Sequence, residues 1–308
     1  MARPRRPGTR VVTIATAPVL PPTIAAEYPF ESHFLDVSGG GMHYVDEGPR
    51  DGGPILFLHG NPTWSFLWRN LVREFRDSHR CIALDHIGCG LSAKPPDWRY
   101  TLAAHAENVL ALVEHLDLER VTLVVHDWGG AIGMSTVSRA AGRFARLLVL
   151  NTAAFPGAMP LRIRVCRAPI VGPFLVEQLN AFAGLLPRYG VADRARLSVA
   201  AREGYAYPYR TPTDRRAIRR FVEDIPTSSS HPSWRELAAA SQAIARFVAK
   251  PASIVWGQRD WCFTPRFRAQ WQNRLPEAHV VPIERAGHLV TEEAPAEVAA
   301  ELRALLVR

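Results

Sequence analysis

At 308 residues, with 47% apolar and 21% charged side chains, the chain has the composition of a globular protein and the length for one large α/β domain carrying an insertion. Its formal net charge of +8 is almost wholly arginine, since only Lys94 and Lys250 are lysines. No nucleic-acid recognition module accompanies that charge, so a basic face that draws small anions is expected and nucleic-acid binding is set aside.

Arg3–Arg10 followed by an apolar stretch from Val11 has the outline of a weak export signal. Pro18, Pro21 and Pro22 interrupt it and no cleavage site follows, so residues 1–26 are expected to form a disordered basic arm. His33–Val37 and Met42–Asp46 read as short strands joined by a glycine hairpin turn, Gly39-Gly40-Gly41. Ile55–Leu58 is a strand buried on both faces, ending in His59-Gly60-Asn61-Pro62 and followed by helical spacing over Trp64–Phe75. Cys81–Leu84 is the next buried strand, and Leu102–Leu116 an amphipathic helix with Thr101 as its N-cap. Val121–Val125, the turn His126-Asp127-Trp128 and a helix over Gly129–Ala141 follow, then a strand at Arg146–Leu150.

The alternation stops between about Pro156 and Pro232, where only Arg215–Glu223 has a clear helical pattern. It resumes with Ser253–Trp256, a helix near Arg266–Arg274, a strand at His279–Pro282 and a closing helix at Ala296–Leu306. Alternating strands and helices mean a doubly wound, mostly parallel sheet. The core is expected over residues 27–155 and 233–308, with a helical cap over 156–232 inserted after the sixth strand. Cys81, Cys89, Cys166 and Cys262 show no CxxC spacing, and no apolar run nears the ~20 residues that span a bilayer. A reduced, cytoplasmic protein without membrane contact is the expectation.

Ligands in such sheets sit beyond the carboxyl ends of the strands. Asn61, Asp85, Asp127, Asp260 and His288 fall at such ends. Asp127 stands on a tight strand-to-helix turn whose small followers, Gly129, Gly130 and Ala131, let the helix pack back on the strand. A carboxylate there attacks an electrophilic carbon without first losing a proton, because its ordinary pKa is about 3.9. The same residue could instead be only the N-cap of the helix that follows. His288, after the last strand, and Asp260, after the preceding one, complete the order nucleophile, acid, histidine. Asp85 is read as a structural turn residue. The backbone N–H groups of Asn61 and Trp128 are placed to form an oxyanion hole. Both residues also carry side-chain donors that suit a departing halide, although Trp128 could simply be pocket wall.

The segments His59-Gly60-Asn61-Pro62-Thr63-Trp64-Ser65, Asp85-His86-Ile87-Gly88-Cys89-Gly90-Leu91-Ser92 and Val125-His126-Asp127-Trp128-Gly129-Gly130 resemble haloalkane dehalogenases of the α/β-hydrolase superfamily. So does Arg219-Arg220-Phe221-Val222-Glu223-Asp224-Ile225-Pro226. The resemblance runs from about Tyr28 to the C-terminus and is greatest to the third subfamily, which pairs an acid after the penultimate strand with an Asn–Trp halide site. It implies that Asp127 displaces halide from a small halogenated hydrocarbon while Asn61 and Trp128 hold the ion. His288, oriented by Asp260, then activates water against the alkyl ester, with no metal or cofactor. An epoxide hydrolase with Tyr205, Tyr207 or Tyr209 as acids is the nearest alternative. Arginine does not follow Asp127, which argues against a fluoroacetate dehalogenase; a coelenterazine-type luciferase and a non-catalytic binding protein of the same fold are more distant. Preferred substrate and oligomeric state are not legible.

Overall fold

A computed structural model describes residues 18–308. Eight strands form one sheet: β1 (His33–Val37), β2 (Gly40–Glu47), β3 (Ile55–Leu58), β4 (Cys81–Leu84), β5 (Val121–Asp127), β6 (Phe144–Thr152), β7 (Ala252–Gly257) and β8 (His279–Ile283). The order is β1-β2-β4-β3-β5-β6-β7-β8, with β2 antiparallel to both its neighbours and every later pairing parallel. The reversal of strand order between β3 and β5 opens a crevice at their carboxyl ends, where ligands of doubly wound sheets bind. The hairpin turn is confirmed, with Gly39 and Gly40 in the positive-φ region that a side chain disfavours.

Successive side chains of a strand face opposite ways, and the core divides accordingly. Leu56, Leu58, Ile82, Leu84, Leu123 and Val125 belong to one apolar layer, and Ile55, Phe57, Cys81, Ala83 and Val124 to the other. Both faces are therefore buried, which is why these strands are continuous apolar runs.

The helices are α1 (Pro22–Glu27), α2 (Arg69–Phe75), α3 (Leu102–His115), α4 (Trp128–Ala140), α5 (Leu161–Arg167), α6 (Val171–Pro173), α7 (Leu186–Tyr189), α8 (Val199–Ala206), α9 (Arg216–Glu223), α10 (Trp234–Ala243), α11 (Pro265–Arg274), α12 (Val290–Glu293) and α13 (Pro295–Leu306). The Thr101 hydroxyl caps α3 by accepting from the Ala104 N–H. Segment 156–232 contributes α5 to α9 and no strand. The sequence had suggested one continuous helix over Trp64–Phe75; its first turn, Ser65–Trp68, is 3-10 and continues into α2.

One expectation is corrected. Residues 1–17 of the supposed disordered arm lie outside the described residues, but its last part is the ordered α1. Ile24 is buried in the second apolar layer, the Thr23 hydroxyl donates to Glu203 at 2.8 Å, and Arg69 donates to Glu27 at 3.0 Å. The three prolines that interrupt an export signal also pre-set the chain: Pro22 occupies the first helical position, where its missing N–H has no intrahelical partner to lose.

Candidate active site

Asp127 ends β5 and passes directly into α4 with φ 51° and ψ −124°. Left-handed backbone at a residue with a Cβ costs on the order of 1–3 kcal/mol and persists where surroundings over-determine it. Here the Thr152 hydroxyl donates to the Asp127 carbonyl, and the helix closes so tightly on β3 that a Cβ on Gly129 would strike the Leu58 carbonyl oxygen. The Asp127 side chain makes no capping bond to α4, so the helix-cap alternative fails. Its Oδ1 accepts from the Asn61 N–H at 2.6 Å, and the adjacent Trp128 N–H also favours the charged carboxylate. Gly60 has to be glycine, because any Cβ would meet Asp127 Oδ1. The other oxygen, Oδ2, lies 3.9 Å from His288 Nε2, too far for a hydrogen bond. That leaves it open to attack carbon.

His288 Nδ1 bonds Asp260 Oδ2 at 2.8 Å. Asp260 is completed by the Cys262 N–H at 2.7 Å and by Asn151 Nδ2 at 2.9 Å. Asn151 in turn spans the β6–β7 gap, donating to the Gly257 carbonyl at 3.1 Å and accepting from the Gly257 N–H at 2.8 Å. Asn151 is not among the residues that the sequence singles out. Its amide, with both a donor and an acceptor, is what fixes Asp260, and a polar residue ending an apolar strand was the available signal.

Burial raises the Asp127 carboxyl above the usual range, and the His288 charge and the two N–H groups only partly restrain it. Burial alone would lower His288, but the charge and hydrogen bond of Asp260, with the charge of Asp127, hold it above its ordinary value. Asp260 is also buried, yet the imidazolium and the N–H groups of the following loop hold it low. The arrangement stabilises a cationic imidazole between two carboxylates.

Asp127, Trp128, Asn61 and His288 line one chamber of about 490 Å³ whose remaining walls are largely apolar side chains, including Phe155, Phe182, Val222 and Phe263. Asn61 is also tied to the cap. Its Nδ2 donates to the Ile218 carbonyl of α9 at 3.0 Å, and its Oδ1 is buried without a partner among the described residues. Exchanging the two atoms would set oxygen against oxygen at Ile218, so one of the two amide N–H groups is committed to the cap.

Asp85 is structural: it accepts from the Ser65 N–H, the Leu91 N–H and His43 Nδ1 at 2.7, 2.8 and 2.9 Å. None of Tyr205, Tyr207 and Tyr209 lines the chamber. The Tyr205 hydroxyl donates to Glu292 at 2.6 Å and that of Tyr209 to the Thr63 carbonyl at 3.1 Å. The three tyrosines named for epoxide opening thus do not face the chamber; the cap tyrosine on its wall is Tyr189.

Residues 53–167 match the α/β-hydrolase fold family. A cis-3-alkyl-4-alkyloxetan-2-one decarboxylase of Shewanella oneidensis is 39% identical over 89% of this chain and 88% of its own. Haloalkane dehalogenase 2 of Mycobacterium bovis is 34% identical over 89% of this chain and 94% of its own. The crystal structure of haloalkane dehalogenase DatA from Agrobacterium tumefaciens C58 superposes with a TM-score of 0.79 at 29% identity, covering 90% of this chain and 96% of that one. The chain therefore belongs to the α/β-hydrolase superfamily, as a haloalkane dehalogenase-like hydrolase.

Proposed function

We propose that Asp127 is alkylated by substrate at a saturated carbon while an anion departs, and that the favoured substrate is a cis-3,4-dialkyl oxetan-2-one, converted to a cis-alkene and carbon dioxide. Asp127 Oδ2 attacks ring carbon C4 from the side opposite the ring oxygen. The C4–O bond breaks, leaving an ester on Asp127 and a carboxylate on C3. The bond from C3 to that carboxylate then breaks, carbon dioxide departs, its electron pair becomes the C3=C4 bond, and the C4–O bond to Asp127 breaks to restore the carboxylate. Atoms and charge balance without water or cofactor. Inversion at C4 followed by anti elimination keeps the two alkyl arms on the same side.

The observation that carries this reading is the similarity to the oxetanone decarboxylase, at 39% identity against 34% for the dehalogenase. A halide expelled into an apolar chamber has to be held by protein donors, because an unpaired buried ion is costly, and one of the two Asn61 amide N–H groups is already engaged by Ile218. A carboxylate that becomes neutral carbon dioxide never has to be carried out as an ion. The chamber's volume and apolar walls suit two alkyl arms. In this route His288, cationic beside Asp127, stabilises the carboxylate as it is released.

Haloalkane dehalogenation is the second reading, favoured by the Trp128 indole at the chamber wall and by the dehalogenase relatives. It shares the first step, after which His288 would activate water through the 3.9 Å gap. The test is product analysis with a long-armed cis-dialkyl oxetanone and, in parallel, 1,2-dibromoethane and a 1-halobutane. Alkene and carbon dioxide from the lactone, with little halide release, support the first reading. Halide release without alkene, together with a mass adduct on Asp127 in His288→Phe, establishes the second. No turnover of either class sinks the alkylation step itself.

A further inference from the structure

Eight of the twelve large apolar side chains left exposed among the described residues fall within residues 161–189. Ile170, Phe174 and Leu179 are 87%, 55% and 57% exposed. Ile170 precedes α6, Phe174 opens the single π turn after it and Leu179 follows that turn; α6 packs against α5 and the turn against α9. Leu161 and Tyr189 are also exposed, and both line the chamber. The outer apolar face is thus continuous with the wall of the site.

Charge on this face has one sign. Arg162, Arg164 and Arg188 are exposed between the apolar side chains. The segment's sole carboxylate, Glu177, is turned inward onto Arg219 and is 13% exposed. The guanidinium of Arg162 lies 4.9 Å from the Tyr189 ring centroid and 5.3 Å from that of Trp261. Amphipathic rings and long cationic stems are the side chains that settle where acyl chains meet headgroups.

We propose that this face docks on an anionic lipid bilayer and sets the chamber mouth at the acyl boundary, so that an apolar substrate reaches Asp127 from the membrane. Apolar side chains entering the boundary supply adhesion, and the arginines supply preference for anionic headgroups. A second copy of the chain would bring the same uncompensated arginines against these, which disfavours pairing of the face with itself. The absence of an apolar run long enough to cross a bilayer led to the expectation of no membrane contact, but a surface dock needs no span; among the described residues no helix could cross one. The docking rests on this surface and not on which anion leaves the site.

Flotation of the full chain with vesicles tests it. The protein is expected to float with phosphatidylcholine vesicles containing about 30% phosphatidylglycerol, and at least about tenfold less with phosphatidylcholine alone. Ile170→Asp with Phe174→Asp should lower flotation about tenfold or more without changing the thermal melting curve, since both side chains face out. Arg164→Gln with Arg188→Gln should remove the preference for the anionic vesicles. Absence of flotation overturns the proposal, as does flotation that both variant pairs leave intact. A wild-type dimer in sedimentation that Ile170→Asp with Phe174→Asp dissociates also overturns it, by assigning the face to self-association.

Discussion

The strand ends and the helices between β6 and β7 build the same chamber by opposite means. At the strand ends the carboxylates are fixed by buried donors: Asp127 by the N–H groups of Asn61 and Trp128, and Asp260 by the Asn151 side-chain amide and the Cys262 N–H. Across from them, α5 to α7 offer apolar side chains, many of them facing outward. The first region sets which bond is attacked, and the second sets what is brought to it. Polar contacts tie the two together, among them Asn61 on Ile218 and Glu293, whose buried carboxylate accepts from the N–H groups of Gly287, Ala192 and Asp193 at 2.6, 2.9 and 2.9 Å.

The comparison breaks most sharply at Asp127. Asp127→Asn should reduce turnover on the order of 10⁴-fold or more while leaving the fold intact. The folded-state pKa of Asp127 is raised by burial, so the stability it contributes is full below its unfolded pKa and is lost as pH rises through the folded one. Removing the charge should therefore hold or raise the melting temperature at neutral pH, as calorimetry would show.

Asp260→Asn separates the two readings. If water must be activated, losing the carboxylate that orients His288 should cost about 10²–10⁴-fold. With a decarboxylating lactone, steady-state kinetics should show a loss of about tenfold or less, because no proton is taken from water. The pH profile sharpens the same point. His288 is held above its ordinary pKa, so a reaction that needs neutral imidazole fails as pH falls through that raised value. Lactone turnover should persist below it and fall only as Asp127 protonates.

Much of this site was legible because strand ends in a parallel sheet are few and a polar residue there stands out against apolar runs. β3 and β4 were read to the residue, and Asp127, Trp128, Asn61, Asp260 and His288 are all found around one chamber or directly behind it. What escaped depended on contacts between distant segments. Asn151 contributes through bonds to Asp260 and Gly257, more than a hundred positions away. The engagement of Asn61 by Ile218, and the burial of Tyr205 and Tyr209, follow from how the cap folds back, which spacing along the chain does not encode. The order of α1 was hidden because its stability comes from packing on α8 and Arg69 and not from its own six residues.

Smaller effects test the ties between the regions. Asn151→Ala should free Asp260 and cost about 1–3 kcal/mol of stability, with a several-fold loss of turnover. If Asn151 positions the acid and is not merely structural, the acid limb of any haloalkane activity will also move, a change that loss of stability alone does not produce. Glu293→Gln keeps one acceptor but loses the charge that gathers three N–H groups, and should lower the melting temperature by a few degrees while altering KM more than kcat.

The central claim is that Asp127 is alkylated and then freed by elimination. Turnover of a cis-dialkyl oxetanone in ¹⁸O-water, followed by mass analysis of the peptide holding Asp127, tests it most directly. Elimination leaves the carboxylate unlabelled after many turnovers and yields cis-alkene. Label entering Asp127, with a hydroxy acid as product, would show that water resolves the ester and would contradict the account.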